Sequence, residues 1–500
     1  MAAISPRIPV RAASTGRWSP GHEARVLHRS YADSHLAQKA AIAAGVAFLC
    51  LFWGYAVVVA EWNALLVGVA LVACVLILID FRVGVVLLVL LMPISGSTVF
   101  PHQIGGITGL NPVNLLLAGT LVSALLHALL SRSLGGFIPR PLLWLYVVPF
   151  LIAGALGVRH VGEIPLYFVI MEKIQFTDMV GYLRDMVIKP LLLVFVALLV
   201  AAAVARMQKP ERLVGPVVVS VWIMCLMALI YFLLSGANFG QLASSKEREF
   251  LSPLGLHANE LGRTYAIAYA LLLFTWSKTK DYLIKLALLA SIGIVVVALA
   301  LTFSRGAFVG FILVSVLFLI SRRQIGSLIV GATVAAAALY FLPDPVYERV
   351  TTGFGLGANA VSAGRIDGIW LPLVPDLLRS PLYGNGIGAM LWTDAVRSGR
   401  SFLVTHPHNA YLQVMLDMGL IGLALLGAYF FHLWKGFRAL GQAPHLGDSM
   451  RGFYEGAAAG LVAYLMMAVA DGRLTPAPEQ VFLWMAIGMM YGERARRAGS

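Results

Sequence analysis

Three short runs of this sequence hold side chains that could act together. The first is Ser304-Arg305-Gly306, at the junction of two long apolar stretches. A guanidinium at membrane depth is costly unless it faces a polar cavity, so Arg305 is either a site residue or a side chain snorkelling to the headgroups. Its planar donors suit a phosphate, which they can hold bidentately. The second run, from Ser245 to Arg263, contains Lys246, Glu247, Arg248, His257, Asn259 and Arg263. Lys246 and Glu247 read as a solvated face, whereas Arg248 and Arg263 could point further cations at the same anion. The third run is Thr405-His406-Pro407-His408-Asn409. Two histidines with only each other nearby make a poor metal site, since zinc takes three or four ligands, and no metal is expected. Pro407 is expected to precede a helix start, setting His408 and Asn409 at its mouth with His406 pointing elsewhere. There a neutral imidazole could take a proton from a hydroxyl, and plain helix capping is the alternative.

The elements that must position these runs are membrane helices. Of 500 residues 59% are hydrophobic and 12% charged, against roughly 45–50% and about 25% in soluble domains. Mean hydropathy is +0.84. This excludes a disordered chain, a collagen-like repeat and a disulfide-built mini-protein. Cys50, Cys74 and Cys225 all fall in apolar runs and read as packing residues. Fourteen apolar runs are candidates for spans, beginning near 40, 63, 83, 112, 141, 187, 213, 262, 282, 306, 326, 410, 453 and 479. They read as helices because open strands would leave backbone groups unpaired in lipid.

The expected fold is therefore all-α and polytopic, with about 12–14 spans. Residues 1–38 form a polar, Arg-rich tail before a retained signal anchor; an organellar transit peptide is the lesser alternative. Spans fill 39–342, a large connection covers 343–409, the last three spans cover 410–493, and 494–500 is a second tail. With 37 Lys and Arg against 24 Asp and Glu the net charge is +13. Placing both termini in the cytoplasm puts most of that excess in short inner loops, as the positive-inside rule requires, so no nucleic-acid partner is needed to explain it. The longer connections, about 96–111, 158–186, 236–261 and 343–409, then lie outside. The last has amphipathic stretches such as Ile366 to Leu378, broken by Pro372, Pro375 and Pro381, and is expected to fold as a cap. Within it, Gly384-Asn385-Gly386-Ile387-Gly388 lacks the Lys-Ser/Thr pair of a P-loop and reads as a tight turn.

His408-Asn409 followed by Gly419-x-x-Gly422 resembles the signature of the O-antigen ligase and polymerase superfamily. Ser304-Arg305-Gly306-Ala307, the Gly364-Arg365 to Trp370 stretch and the Pro381-to-Gly388 run stand in that family's order, and the likeness covers about 240–430. The resemblance implies a GT-C-like fold with a periplasmic cap loop in the bacterial inner membrane. It implies a metal-independent, inverting glycosyltransferase without a cofactor, moving a glycan from undecaprenyl diphosphate to a hydroxyl acceptor. That acceptor is lipid A core for a ligase or a growing polysaccharide for a polymerase. A protein O-oligosaccharyltransferase shares the signature, and a transporter of the lipid-linked glycan is the rival of another class. By motif, Arg305 and, more loosely, Arg248 would hold the diphosphate and His408 would assist the hydroxyl; Arg263, Arg365, His406 and Asn409 are expected to bind substrate.

Overall fold

Long apolar stretches without β-sheet partners close their backbone hydrogen bonds within themselves, and helices dominate. The computed structural model describes residues 72–100, 103–104, 107–108, 111–130, 138–237, 247–322, 347, 351, 353 and 355–499. The expected spans near 40–60 and 326–342 lie outside them. Leu76–Ser500 is one compact unit, and Met1–Val75 is another, of which only 72–75 are described.

In chain order the principal helices are α1 (Phe81–Leu91), α2 (Pro112–Leu130), α3 (Arg140–Glu163), α4 (Met179–Arg206), α5 (Pro210–Ser235), α6 (Ala258–Lys278), α7 (Tyr282–Leu301), α8 (Arg305–Arg322), α9 (Ala410–Gly441), α10 (Asp448–Met467) and α11 (Val481–Gly499). Among the described residues seven of these, α2 to α5 and α7 to α9, are long and apolar enough to cross a membrane. The expectation of 12–14 spans is met only in part. The run near 83 yields a shorter apolar helix, Phe81–Ile94, and the runs near 262, 453 and 479 yield α6, α10 and α11, which carry more polar residues. Among the described residues there is also one two-residue strand pair, Gln103–Ile104 with Ile107–Thr108.

The polar helices are the interior of the bundle. α6 is buried along nearly its whole length, and α10 lies against it backbone to backbone. A Cβ on Gly452 would stand 2.5 Å from the Phe274 carbonyl oxygen, and one on Gly456 2.5 Å from that of Ala270. α11 packs on α4 by the same device, with Gly488 and Gly492 facing the Ala197 and Ala201 carbonyls. Small residues four apart allow this close approach, and packing of this kind holds helices together where lipid removes the hydrophobic drive.

Basic side chains gather at one end of the bundle. Arg82 at the start of α1 donates to the Arg206 carbonyl at the end of α4, Lys278 pairs with Glu455 at 3.0 Å, and Lys280 with Asp448 at 2.6 Å. Arg496 pairs with the buried Glu493 at 2.8 Å. The first turns of α6, α8 and α9 and the end of α10 lie at the opposite end.

There the 355–409 segment is an ordered assembly of short helices, among them Ile366–Trp370 and Val374–Arg379. The run at 384–388 is a tight turn as expected, with φ of +69°, +94° and +81° at its three glycines. It docks on a break in α9, where Gly419 has φ +66°. Peptide groups freed by the break are paired across the contact: Asn385 N donates to Leu416 O at 2.8 Å, Gly386 N to Asp417 O at 2.9 Å and Leu420 N to Pro381 O at 2.8 Å. A Cβ on Gly384 would come 2.4 Å from the Asp417 carbonyl carbon, and one on Gly419 2.3 Å from that of Leu382. Asp417 is itself buried and accepts from Ala389 N at 3.0 Å, which pins the turn further.

Candidate functional site

Five stretches meet at this end. α6 begins with a capping box, in which the His257 ring accepts from Asn259 N at 3.2 Å and Glu260 accepts from His257 N at 2.9 Å. This sets Asn259 and Arg263 one turn apart, facing the same direction. The turn from α7 to α8 passes through Phe303, a buried non-glycine residue at φ +46°, and delivers Ser304 and Arg305 at the first turn of α8. From the capping segment come Arg365 and Trp370. Arg365 donates to the Ala470 carbonyl, and Trp370 Nε1 donates to Pro407 O at 2.8 Å, so the segment is stapled to two of the loops that carry the site.

The fourth stretch is the His406-Pro407-His408 turn. Asn409 is the N-cap of α9, its side-chain oxygen accepting from Tyr411 N at 3.1 Å and Leu412 N at 3.0 Å. His408 is therefore not the cap. It adopts φ +52°, a left-handed conformation costing a non-glycine residue about 1–3 kcal/mol and persisting only where the surroundings enforce it. The puckered turn brings the two imidazoles to 4.2 Å between centroids. His406 thus converges on His408 rather than pointing elsewhere, as residues i and i+2 do on one face of a non-helical chain.

Both rings converge on the fifth stretch, the short loop after α10. His408 Nδ1 lies 3.1 Å from Asp471 Oδ1, and His406 Nε2 lies 3.6 Å from the same atom. Gly472 N donates to Asp471 Oδ1 at 2.9 Å. The other oxygen, Oδ2, accepts from Asn259 Nδ2 at 3.2 Å and pairs with Arg263 Nη1 at 3.2 Å. Arg263 is 4% exposed and places Nη2 3.2 Å from buried Glu479. Burial alone would raise the Asp471 pKa, but the adjacent His406 ring, the hydrogen bond with His408 and the charge on Arg263 outweigh it and hold the carboxyl far below the usual carboxylate range. With Asp471 anionic and accepting at Nδ1–H, the lone pair of His408 falls on Nε2. Burial lowers the His406 pKa, with the Asp471 hydrogen bond opposing it, which leaves that ring neutral at pH 7.

Two cavities share the wall formed by Asn259, Arg263 and Asp471. One, of about 310 Å³, holds Arg263, Arg305 and Arg365 beside Ser304 and Trp370, while its remaining wall is apolar: Phe308, Val309 and Ile312 of α8 and Met466 and Met467 of α10. Val309 and Ile312 are exposed on the flank of the bundle. Burial lowers the Arg365 pKa, Asp471 opposes this, and the charges of Arg305 and Arg263 depress it further. Arg263 is paired with Asp471 and Glu479, so it is the charges of Arg305 and Arg365 on the same cavity that an anion would relieve. The second cavity, of about 240 Å³, is polar and contains His257, Glu260, His406, His408, Arg473 and Glu479.

Of the expected site residues, Arg263, Arg305, Arg365, His406 and His408 line these cavities. Arg248 does not. It is 7% exposed with Nη1 3.3 Å from the Thr302 carbonyl oxygen, in the turn that leads to Arg305, and its charge reaches His257 of the second cavity. Asn409 lines neither cavity; its oxygen is committed to capping α9. Asp471 and Arg473 were not among the expected site residues. Their signal was an acid and a base in the eight-residue connection that follows the apolar run of α10, a stretch too short to draw notice beside 343–409.

His406, His408 and Asp471 also offer three ligand atoms within 4.8 Å of one another. The expectation that the two histidines have only each other nearby is thus corrected, since Asp471 supplies a third ligand type; Arg263 on its other oxygen disfavours a further cation there by charge. No model of a known protein family matches the chain, and no curated protein matches it either.

Proposed function

We propose that the protein is a membrane glycosyltransferase of the O-antigen ligase kind, transferring a glycan from a polyprenyl diphosphate to a hydroxyl acceptor. The observation that carries this reading is the 310 Å³ cavity, which sets three arginines against an apolar wall open to the flank of α8. That combination suits an anionic headgroup on a lipid chain, as undecaprenyl diphosphate is. The adjoining cavity supplies a histidine oriented by a carboxylate, as a hydroxyl nucleophile needs.

In this mechanism the acceptor hydroxyl donates to His408 Nε2. Its oxygen attacks C1 of the donor sugar from the face opposite the diphosphate, so the configuration inverts. The C1–O bond breaks, its electron pair leaves with the diphosphate, and the proton ends on His408. Arg305 and Arg365 stabilise the charge that accumulates on the leaving group, and Arg263 holds Asp471 in place for His408. Each of these steps is carried by side chains, without a metal or cofactor. By the positive-inside rule the basic end of the bundle, where α11 ends, is the cytoplasmic one; in this reading the site then faces the periplasm of a bacterial inner membrane, and the N-terminal tail, like the C-terminal one, is taken as cytoplasmic. A polymerase would use the same chemistry with a polyprenyl-linked glycan as acceptor.

The test is transfer by the purified protein in proteoliposomes, with an undecaprenyl-diphosphate oligosaccharide as donor and either a lipid A core or a second donor molecule as acceptor. Product with the first acceptor supports the ligase and product only with the second the polymerase. Absence of both, with the donor shown to bind, rejects the transferase reading.

A further inference from the structure

The arginine cavity is ordered along its length. α8 runs inward from Arg305, so Ile312 lies about 10 Å deeper at 1.5 Å per residue, and Val309 and Ile312 make that inner part apolar. At the outer end the wall comes from the capping segment, with Ser362, Arg365 and Trp370. In a regular α-helix, Arg365 and Trp370 would point about 140° apart at 3.6 residues per turn. Here the chain makes a wider turn, with Leu371 N donating to Ile366 O, five residues back, at 2.9 Å. Such a turn brings residues five apart back toward one face, and both side chains line the cavity. Trp370 has a single polar atom, Nε1, which is committed to Pro407 O at 2.8 Å. What the half-buried ring offers the cavity is therefore carbon, a flat apolar surface next to a guanidinium.

We propose that Trp370 is the surface on which the first sugar of the donor stacks. The inference rests on the transfer reading and deepens it. A polyprenyl diphosphate whose chain leaves along Val309 and Ile312, and whose phosphates lie on Arg305 and Arg365, carries its sugar at the outer end of the cavity. Trp370 stands there. The C–H bonds on one face of a pyranose make an apolar patch the size of a six-membered ring, and an indole supplies a rigid apolar face to cover it. The contact also places the reacting carbon. Trp370 is bonded to the residue before His408, so a sugar held on the indole has its C1 between the diphosphate and the hydroxyl at His408. The donor class so selected begins with a hexopyranose that presents a free C–H face.

The test measures affinity, not turnover, with the full-length protein in nanodiscs. Two probes share the polyprenyl chain and the charge of a diphosphate diester: an undecaprenyl-diphosphate oligosaccharide beginning with glucopyranose, and the methyl ester of undecaprenyl diphosphate, which has no sugar. Trp370→Ala should weaken binding of the first about tenfold, the worth of an aromatic stack together with the area it buries, and leave binding of the second unchanged. Trp370→Phe keeps a smaller ring but has no N–H for Pro407, and should lose less than Trp370→Ala on the sugar-bearing probe. Unchanged binding of the methyl ester also shows that each variant is folded. Equal losses on the two probes, or no loss on the sugar-bearing one, overturn the proposal. So does a Trp370→Phe variant as weak as Trp370→Ala, which would make the hydrogen bond to Pro407 the whole role of the ring. Arg305→Ala should weaken both probes alike. A parent protein that binds neither probe rejects the transferase reading and the inference with it, whereas binding of both with no dependence on Trp370 overturns the inference and leaves that reading standing.

Discussion

Replacing Asp471 by asparagine separates orientation of His408 from binding of the donor. Asp471 accepts on both sides: His408 Nδ1 at 3.1 Å and Gly472 N at 2.9 Å on one oxygen, Asn259 Nδ2 and Arg263 Nη1, each at 3.2 Å, on the other. An amide has one acceptor end, so its NH₂ must face a pair of donors whichever way it turns. The positive charge of Arg263 draws the carbonyl to itself, leaving the NH₂ against His408. The ring then accepts at Nδ1 and carries its proton on Nε2, where it can no longer take one from a hydroxyl. Loss of general-base assistance costs about 10²–10⁴ in rate, or about 2.7–5.5 kcal/mol at 1.36 kcal/mol per decade. The assay is initial-rate transfer at saturating donor, with donor affinity measured separately. Arg305 and Arg365 are untouched and the cavity wall loses a negative charge, so affinity for an anionic donor should not fall. A rate within tenfold of the parent, less than about 1.4 kcal/mol, would show that His408 does not depend on this carboxylate.

Three further outcomes are expected. Arg305→Ala should lower the rate about 10²–10³-fold, the usual loss for one preorganised donor at a developing anion, and Arg305→Lys should recover only part, lacking the bidentate fork; full activity in the alanine variant at normal expression leaves Arg305 a snorkelling side chain. His408→Ala should lower the rate about 10²–10⁴-fold and retain donor binding, and His406→Ala should cost less; a rate within tenfold of the parent in His408→Ala would leave that imidazole without a part in proton transfer. In a cysteine-free background, cysteine at exposed Ser398 should react with an impermeant maleimide in intact spheroplasts, while cysteine at Lys280, 87% exposed at the basic end, should react only after lysis; the reverse pattern inverts the topology.

How much of this was legible in the sequence follows from the range of each signal. Arg305 and His408 stood out because a cation at a span edge and a histidine before a helix are local anomalies. The 384–388 turn was readable because alternating glycines have few other uses. Asp471 was not, because an acid in a short loop looks solvated until the chain brings it to His408, 63 residues away. Arg248 shows the converse limit: sequence reveals a guanidinium, but not that one of its nitrogens is turned toward the carbonyl of Thr302. Composition identified a membrane protein readily, yet counting apolar runs merged two kinds of helix. Those wrapped by protein, α6 and α10, carry Arg263 and Glu455, charges that a lipid-facing span could not tolerate.

The contact between Gly384 and the break at Gly419 has a consequence for inheritance. Each glycine leaves room for the backbone of the opposite segment, and four peptide hydrogen bonds cross the seam. Neither segment can accept a side chain at that point while its counterpart stays as it is, so substitutions there should be strongly epistatic. A chimera joined between Trp392 and Asn409 would inherit one half of the seam from each parent and lose the angle at which α9 leaves His408. Productive recombination would have to carry 381–422 as a single block, even though it joins a capping segment to a transmembrane helix.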